Sequence, residues 1–472
     1  MKSTLLVPVF LLFSLFGYSQ TPCENGFAGS YPCDGYDLLA HFNLNVLNAS
    51  SGNDSWGWTD PEDGKEYAIV CLDNGTAFFD ISDPVNTVYL GKLPTQTGNS
   101  IWRDAKVYNN YVFVVSDANP GHGMQVFDLT RLRNVNNPPV TFSNDAHYDQ
   151  FGSAHNIAIN EETGYAYVIG SPTFNGGPHI INIQNPLNPT FAGGYSDHDY
   201  THDAQIVNYF GPDTDYQGRE IFVGSNAYQV VILDVTEKNN IQFISSLDYN
   251  NVEYTHQGWF TEDQRYFILG DELDEVEFGF NTRTLVLDLT DLDNPTIKHQ
   301  FNGATGAIDH NGYVVGDKFY LANYTAGVRV YDISDIDNNN INEVGYFDTY
   351  PQNNNTSFNG VWNVYPFFKS GCLVIGDMDR GFFLIRDSNH VSIEEHEIQP
   401  FTIFPNPAVD YLVIKAESEN LESVEIYNTV GQLIDSVEKL NLRGITLDVS
   451  NYSKGIYLMV INGNTVKKFI KK

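Results

Sequence analysis

Four histidines, His155, His202, His256 and His310, stand 47, 54 and 54 residues apart. Neutral imidazole is the side chain most used to hold zinc, copper, nickel or iron, and three or four of them with a carboxylate make a divalent-metal or catalytic site. Each histidine opens a four-residue slot: His155-Asn-Ile-Ala158, His202-Asp-Ala-Gln205, His256-Gln-Gly-Trp259 and His310-Asn-Gly-Tyr313. The slot recurs with other first residues as Ser55-Trp-Gly-Trp58, Arg103-Asp-Ala-Lys106 and Phe358-Asn-Gly-Val361. Asp104 and Asp203 in the second column would supply carboxylates, and Arg103, Trp58 and Trp259 share the register as candidate binding groups.

For these residues to meet, the chain must return to one axis roughly every 50 residues, which is the period of a propeller blade. The third column is Gly or Ala in six copies, as close approach of inner strands requires. After each slot come runs such as Tyr67 to Leu72, Tyr111 to Ser116 and Glu220 to Ser225, rich in β-branched and aromatic residues. Third strands end in an Asp-aliphatic pair (Asp80-Ile81, Asp128-Leu129, Asp234-Val235, Asp288-Leu289, Asp332-Ile333) followed by Ser or Thr, a turn signal. A fourth strand completes the unit. The seventh unit lacks one after Phe382 to Ile385, and Tyr36 to Leu44 resembles the outer strand Val88 to Leu93, so the N-terminal segment is expected to close blade seven.

Two readings of the histidines stand at this point. In one, imidazoles of blades three to six converge at a channel mouth and take a metal or a substrate. In the other, each bonds the loop between neighbouring blades and lines water. All five tryptophans (Trp56, Trp58, Trp102, Trp259, Trp362) lie within four residues of a slot's first position, placed either to stack on sugars and peptides or to pack blade on blade. A second cation candidate is Asp335, Asp337, Asn339 and Glu343, whose oxygens follow calcium-loop spacing, although Asn340 stands where a turn glycine belongs. The acidic run Asp271 to Glu275 reads as a solvated loop or a cation site.

The termini add a location. Residues 1–19 carry Lys2, an apolar run from Leu5 to Phe16 and small residues near the end, the pattern of a signal peptide. Cys23 and Cys33, ten apart in a Gly/Pro-rich lead segment (20–35), suit a disulfide in an exported chain, while Cys71 and Cys372 read as buried thiols. Residues 401–472 hold eight acidic and eight basic residues, so the whole net charge of −34 falls on the first 400. That surface disfavours nucleic acid and anionic lipid. No stretch after the leader is apolar enough for a transmembrane anchor, and GxSxG, HExxH, phosphate-loop and CxxC patterns are missing.

From Phe401 onward short strands are spaced as in a small Ig-like β-sandwich. The motifs FPNP (404–407), IYNTVGQ (426–432) and LDVSNYSKGIYLMVI (447–461), with a basic KKFIKK end, resemble the type A C-terminal sorting domain of the type IX secretion system of Bacteroidetes. That resemblance implies passage through the periplasm, export by the type IX machinery, and removal of the tail with release or attachment at the cell surface. The runs SGNDSWGWTDPEDGKEYAIV (51–70), EYTHQGWFTEDQRYFILGDELDE (253–275), DHNGYVVGDKFYLANYTAGVRVYDISD (309–335) and SFNGVWNVYPFF (357–368) resemble the choice-of-anchor B proteins with LVIVD-type repeats. The expectation is an all-β chain: a seven-bladed propeller over 36–390, closed by 36–44, a linker at 391–400, and a sorting sandwich over 401–472. Its function is expected to be binding of a glycan, peptide or protein outside the cell, or metal-dependent catalysis at the histidines.

Overall fold

The computed structural model describes residues 20–390, 400–416, 419–429 and 431–472; the segment expected to be a signal peptide and most of the expected linker lie outside them. The protein is all-β with many sheets. Seven sheets, antiparallel but for one short strand added to the first, follow one another over residues 27–387, and each runs outward from a strand that overlaps a slot. Those seven strands are Gly52–Thr59, Arg103–Tyr108, Asn156–Asn160, Asp203–Asn208, Thr255–Phe260, Gly312–Val315 and Val361–Tyr365.

The second strands explain the apolar runs of the sequence. Glu66–Leu72, Glu220–Ser225 and Cys372–Asp377 are buried along their whole length because sheets lie against both of their faces. Third strands end as their Asp-Ser/Thr signal demands: Asp80, Asp128, Asp234, Asp288 and Asp332 each accept the backbone N–H two residues on, at 2.9 to 3.0 Å. Against the fourth strand the register slips by one residue in most sheets, for example at Phe78/Phe79, Ile232/Leu233 and Val330/Tyr331. Such bulges sharpen the twist as the sheet widens.

Side chains of the first strands tie each sheet to the next. Asp54 accepts from Ala105 N–H (3.5 Å), Asp104 from Ile157 N–H (2.8 Å), Gln205 from Phe260 N–H (2.7 Å) and Gln257 from Gly312 N–H (2.9 Å). Asn156 donates to the His202 carbonyl (2.9 Å) and Asn311 to Asn363 Oδ1 (3.2 Å). Asn363 then donates to the Ser55 carbonyl at 2.6 Å, so the seventh first strand is bonded to the first.

The N-terminal segment serves two sheets. Tyr36–Phe42 pairs antiparallel with Gly381–Asp387 as the outer strand of the seventh sheet. Tyr31–Asp34 adds to Asn340–Phe347, and Phe27–Ala28 pairs with Tyr31–Asp34, extending the sixth. A disulfide joins Cys23 to Cys33, and Cys71 and Cys372 are buried free thiols. In the second unit Val140–Thr141 crosses to run parallel to Val88–Pro94 of the first sheet, which the sequence did not signal.

The tail forms two sheets, of three strands (Phe401–Phe404, Tyr411–Ala416, Gly444–Asp448) and four (Leu421–Asn428, Leu433–Leu442, Gly455–Ile461, Thr465–Lys471). Leu412, Ile414, Val424, Ile426, Met459, Ile461 and Phe469 fill the core between them.

Candidate functional site

Because neighbouring first strands run side by side, the same slot position falls next to itself from sheet to sheet. The four imidazoles therefore form a continuous row, with ring centroids 4.3 Å apart for His155 and His202, 4.1 Å for His202 and His256, and 4.4 Å for His256 and His310. His202, His256 and His310 are buried and His155 is partly so.

Hydrogen bonds set the tautomers. His202 Nδ1 donates to the His256 carbonyl at 3.0 Å and His310 Nδ1 to the Trp362 carbonyl at 2.5 Å. A carbonyl oxygen only accepts, so Nδ1 carries the proton and Nε2 keeps its lone pair. His155 Nδ1 faces Asp117 Oδ2 at 3.0 Å. His256 is held less well: its buried ring meets the His310 backbone only loosely, and Nε2 has no hydrogen-bond partner.

What His256 faces is Glu272. Glu272 Oε2 lies 3.7 Å from His256 Nε2, and Oε1 lies 3.7 Å from His310 Nε2. Tyr324 donates its hydroxyl to Glu272 Oε1 at 2.8 Å, from a backbone held at φ +32°, a region that costs an aromatic residue about 1 to 2 kcal/mol. Burial lowers His202 and His256 well below the usual imidazole range and His310 to about 3; it raises Glu272 to about 7, opposed by the Tyr324 bond. The imidazoles are thus neutral at physiological pH, the form that ligates. Donor atoms of His256, Glu272 and His310 all lie within 4.8 Å of one another. Two nitrogens and one carboxylate oxygen suit zinc or another borderline divalent metal.

Three residues along an extended strand is roughly 10 Å, and the fourth slot positions mark a different place. Trp58, Lys106, Ala158, Gln205, Trp259 and Tyr313 line a bowl of 1050 Å³, with Trp56, Asp203, Tyr365 and Phe367, and no histidine of the row reaches it. Lys106 Nζ sits 2.5 Å from Asp104, 3.2 Å from Asp54 and 4.5 Å above the Trp56 ring. Its attraction holds Asp104 low against burial, while burial raises Asp54, so the pair keeps one proton. Asp203 is pushed up to about 7 by burial.

The nine residues expected at one channel mouth therefore divide. His155, His202, His256 and His310 stand together; Asp203, Trp58 and Trp259 belong to the bowl. Asp104 is a clasp and an ion-pair partner of Lys106. Arg103 is elsewhere: it is buried, and its guanidinium is used by the Leu72 carbonyl, His122 and Thr95 Oγ1. The calcium spacing does not converge either. Asp337 is taken by Tyr266 and Arg265, Glu343 by Arg329, and Asp335 by the amides of Asn338 and Asn340, so each of the three carboxylates already has a partner. Nor is the acidic run solvated: Asp271, Asp274 and Glu275 are buried around Arg283, whose guanidinium bonds Asp274 and whose backbone N–H bonds Glu275. Sequence reasoning named Glu272 only within the acidic run 271–275, apart from the histidines, and left Tyr324 out. The signal for Glu272 was there: the second strand of the fifth sheet pairs Asp271 with Thr255, so the next residue must emerge beside His256.

Residues 402–472 match the secretion system C-terminal sorting domain family. The chain is accordingly exported by type IX secretion, to the cell surface or the medium, and its tail engages that machinery. No helix among the described residues is long and apolar enough to cross a membrane. Among curated proteins, an ulvan lyase of Nonlabens ulvanivorans is 29% identical over 87 residues, 18% of this chain and 16% of that protein. Similar solved structures include PorZ, a surface component of the type-IX secretion system of Porphyromonas gingivalis (12% identity, TM-score 0.46, 87% of this chain and 58% of that one). A Lactobacillus plantarum protein (12%, 0.46, 84% and 100%) and the hydrazine synthase of Kuenenia stuttgartiensis (12%, 0.48, 69% and 93%) are similarly distant. Likenesses this remote carry no argument about chemistry.

Proposed function

We propose that residues 36–390 form a closed seven-bladed propeller of the choice-of-anchor B type, carried out of the cell by the sorting domain at 401–472, and that it binds a divalent transition metal at His256, His310 and Glu272. Seven consecutive sheets and the bond from Asn363 to Ser55 support the ring. The observation that carries the metal reading is His256, a buried imidazole whose Nε2 has no hydrogen-bond partner and whose donor atom lies within 4.8 Å of those of Glu272 and His310. Such a group costs about 1 to 3 kcal/mol unless something binds it. Two Nε2 atoms each 3.7 Å from one carboxylate are too far for hydrogen bonds. They are close to the roughly 3.3 Å between ligands that share a tetrahedral zinc ion. In that arrangement Tyr324 orients the carboxylate, and the Trp362 carbonyl fixes the His310 ring.

Elemental analysis of the secreted protein tests this. About one equivalent of metal is expected in wild type and much less in His256→Ala and Glu272→Gln; no stoichiometric metal in wild type after zinc reconstitution rejects the reading. A second reading, a partner-binding surface protein without metal, is favoured by the bowl. The likeness to an ulvan lyase spans too little of that enzyme to bring its activity here.

A further inference from the structure

The bowl at the other end of the first strands stands independently of the metal. Its walls are aromatic, with Trp56, Trp58, Trp259 and Phe367. The charges that line it are Lys106 and Lys415 against Asp203, Glu161, Glu162 and Glu262. Lys106 is already matched by Asp104 and Asp54 beneath it. The bowl therefore presents an excess of carboxylate among aromatic faces, the surroundings that favour an organic cation over an anion or a neutral ligand. Trp58 packs its indole into the wall, with the N–H buried and without a hydrogen-bond acceptor.

The sorting domain indicates which cation. Lys415 lines the bowl and its Nζ donates to Glu262 Oε2 at 3.1 Å. Arg443 approaches Glu162 at 4.0 Å, Tyr411 donates to Asp263 at 2.9 Å, and Thr446 donates to the Phe210 carbonyl at 2.7 Å. The lip of the bowl is thus engaged by a lysine carried on a strand of the chain's own tail. That contact shows, within one molecule, the class of group the lip accepts.

We propose that the bowl is a binding site for lysine-bearing peptide segments, and that the sorting domain, through Lys415, occupies its lip until the tail is removed. The ammonium would be held by Glu262, Glu161 and Glu162, and its methylene stem by Trp259 and Phe367. In the uncleaved chain the tail competes for the same carboxylates.

The test uses the full chain after its leader and the protein secreted by the native host, titrated with trilysine and with triglutamate by calorimetry. Secreted protein that has lost its tail should bind trilysine and not triglutamate. The tailed chain should bind trilysine more weakly, and Lys415→Gln in the tailed chain should recover the difference. Glu161→Gln/Glu162→Gln/Glu262→Gln should weaken trilysine binding at least about tenfold, the effect of losing about 1.4 kcal/mol. Glu237→Gln/Asp291→Asn, which neutralises acidic groups elsewhere, should leave it unchanged. Trilysine binding that survives the triple substitution, or falls equally in the control, shows general attraction to an acidic surface and overturns the proposal; so does equal binding of triglutamate. Trp259→Ala, which leaves every charge in place, should also weaken trilysine, and an unaltered affinity there removes the bowl from the account.

Discussion

Asn363 offers a direct test of ring closure. Its side chain is fully buried and bonded on two sides: Nδ2 donates to the Ser55 carbonyl at 2.6 Å, while Oδ1 accepts from Tyr313 Oη at 3.0 Å and Asn311 Nδ2 at 3.2 Å. Asn363→Leu keeps the volume and removes all three bonds. Each is worth about 1 kcal/mol net, and partners left buried without water cost more, so the loss should total about 3 to 5 kcal/mol. Unfolding entropy near 2.1 cal/mol/K per residue over roughly 370 residues is about 0.8 kcal/mol/K, which converts that loss to a fall in Tm of about 4 to 6 °C. Differential scanning calorimetry would read it, with Asn342→Ala on an exposed outer strand as a control expected to move Tm by less than about 1 °C. If the first and seventh sheets were not neighbours, Asn363 would face water on the Ser55 side and only the Tyr313 and Asn311 bonds would be lost. A shift of about 2 to 3 °C or less for Asn363→Leu would then follow, and would refute the clasp.

Two further outcomes follow from the same geometry. Deleting residues 36–44 removes the outer strand of the seventh sheet, including buried Tyr36 and Leu39, and uncovers Phe382 to Ile385, which are fully buried; thermal unfolding should drop by far more than for Asn363→Leu, and an unchanged profile would rule out a closing strand. Binding of trilysine should strengthen as pH rises from 6 to 8: desolvation by the walls of the bowl, then the adjacent Glu162, push Glu161 up to about 7 although its side chain is open to solvent, so the carboxyl gains charge over that interval while lysine amines, near 10.4, stay protonated. Affinity that is flat or falling over this range contradicts a role for Glu161.

The all-β class was legible because strand runs and Asp-Ser/Thr turns repeat on one period, and period survives even where individual residues vary. Asp80, Asp128, Asp234, Asp288 and Asp332 end strands as local chemistry dictates. The row of histidines was legible for the same reason: equal slot positions in adjacent strands must be neighbours. What escaped was direction. Slot positions one and four sit on one short strand, so Trp58 and Trp259 read as companions of the histidines although they point to another cavity. Arg103 escaped because a first-column residue was assumed to face the axis, whereas three partners in its own surroundings use its guanidinium. Glu272 and Tyr324 follow second strands, where no column of the repeat marks them.

The two sequence readings of the histidines, a structural tie and a ligand site, turn out to use different nitrogens. His202 and His310 each give Nδ1 to a carbonyl of the next sheet, which is the tie, and that same bond leaves Nε2 unprotonated. A tie made this way prepares a ligand, because it fixes both ring orientation and tautomer. The columns of the slot divide the remaining labour: the second column supplies most of the sheet-to-sheet clasps, and the fourth lines the bowl. Ser55 and Phe358 do without imidazole in the first column, so the ring does not require it. Of the four histidines, His256 is the least well tied, its ring meeting only the His310 backbone and its Nε2 left without a hydrogen-bond partner. That open nitrogen is what a bound metal would explain.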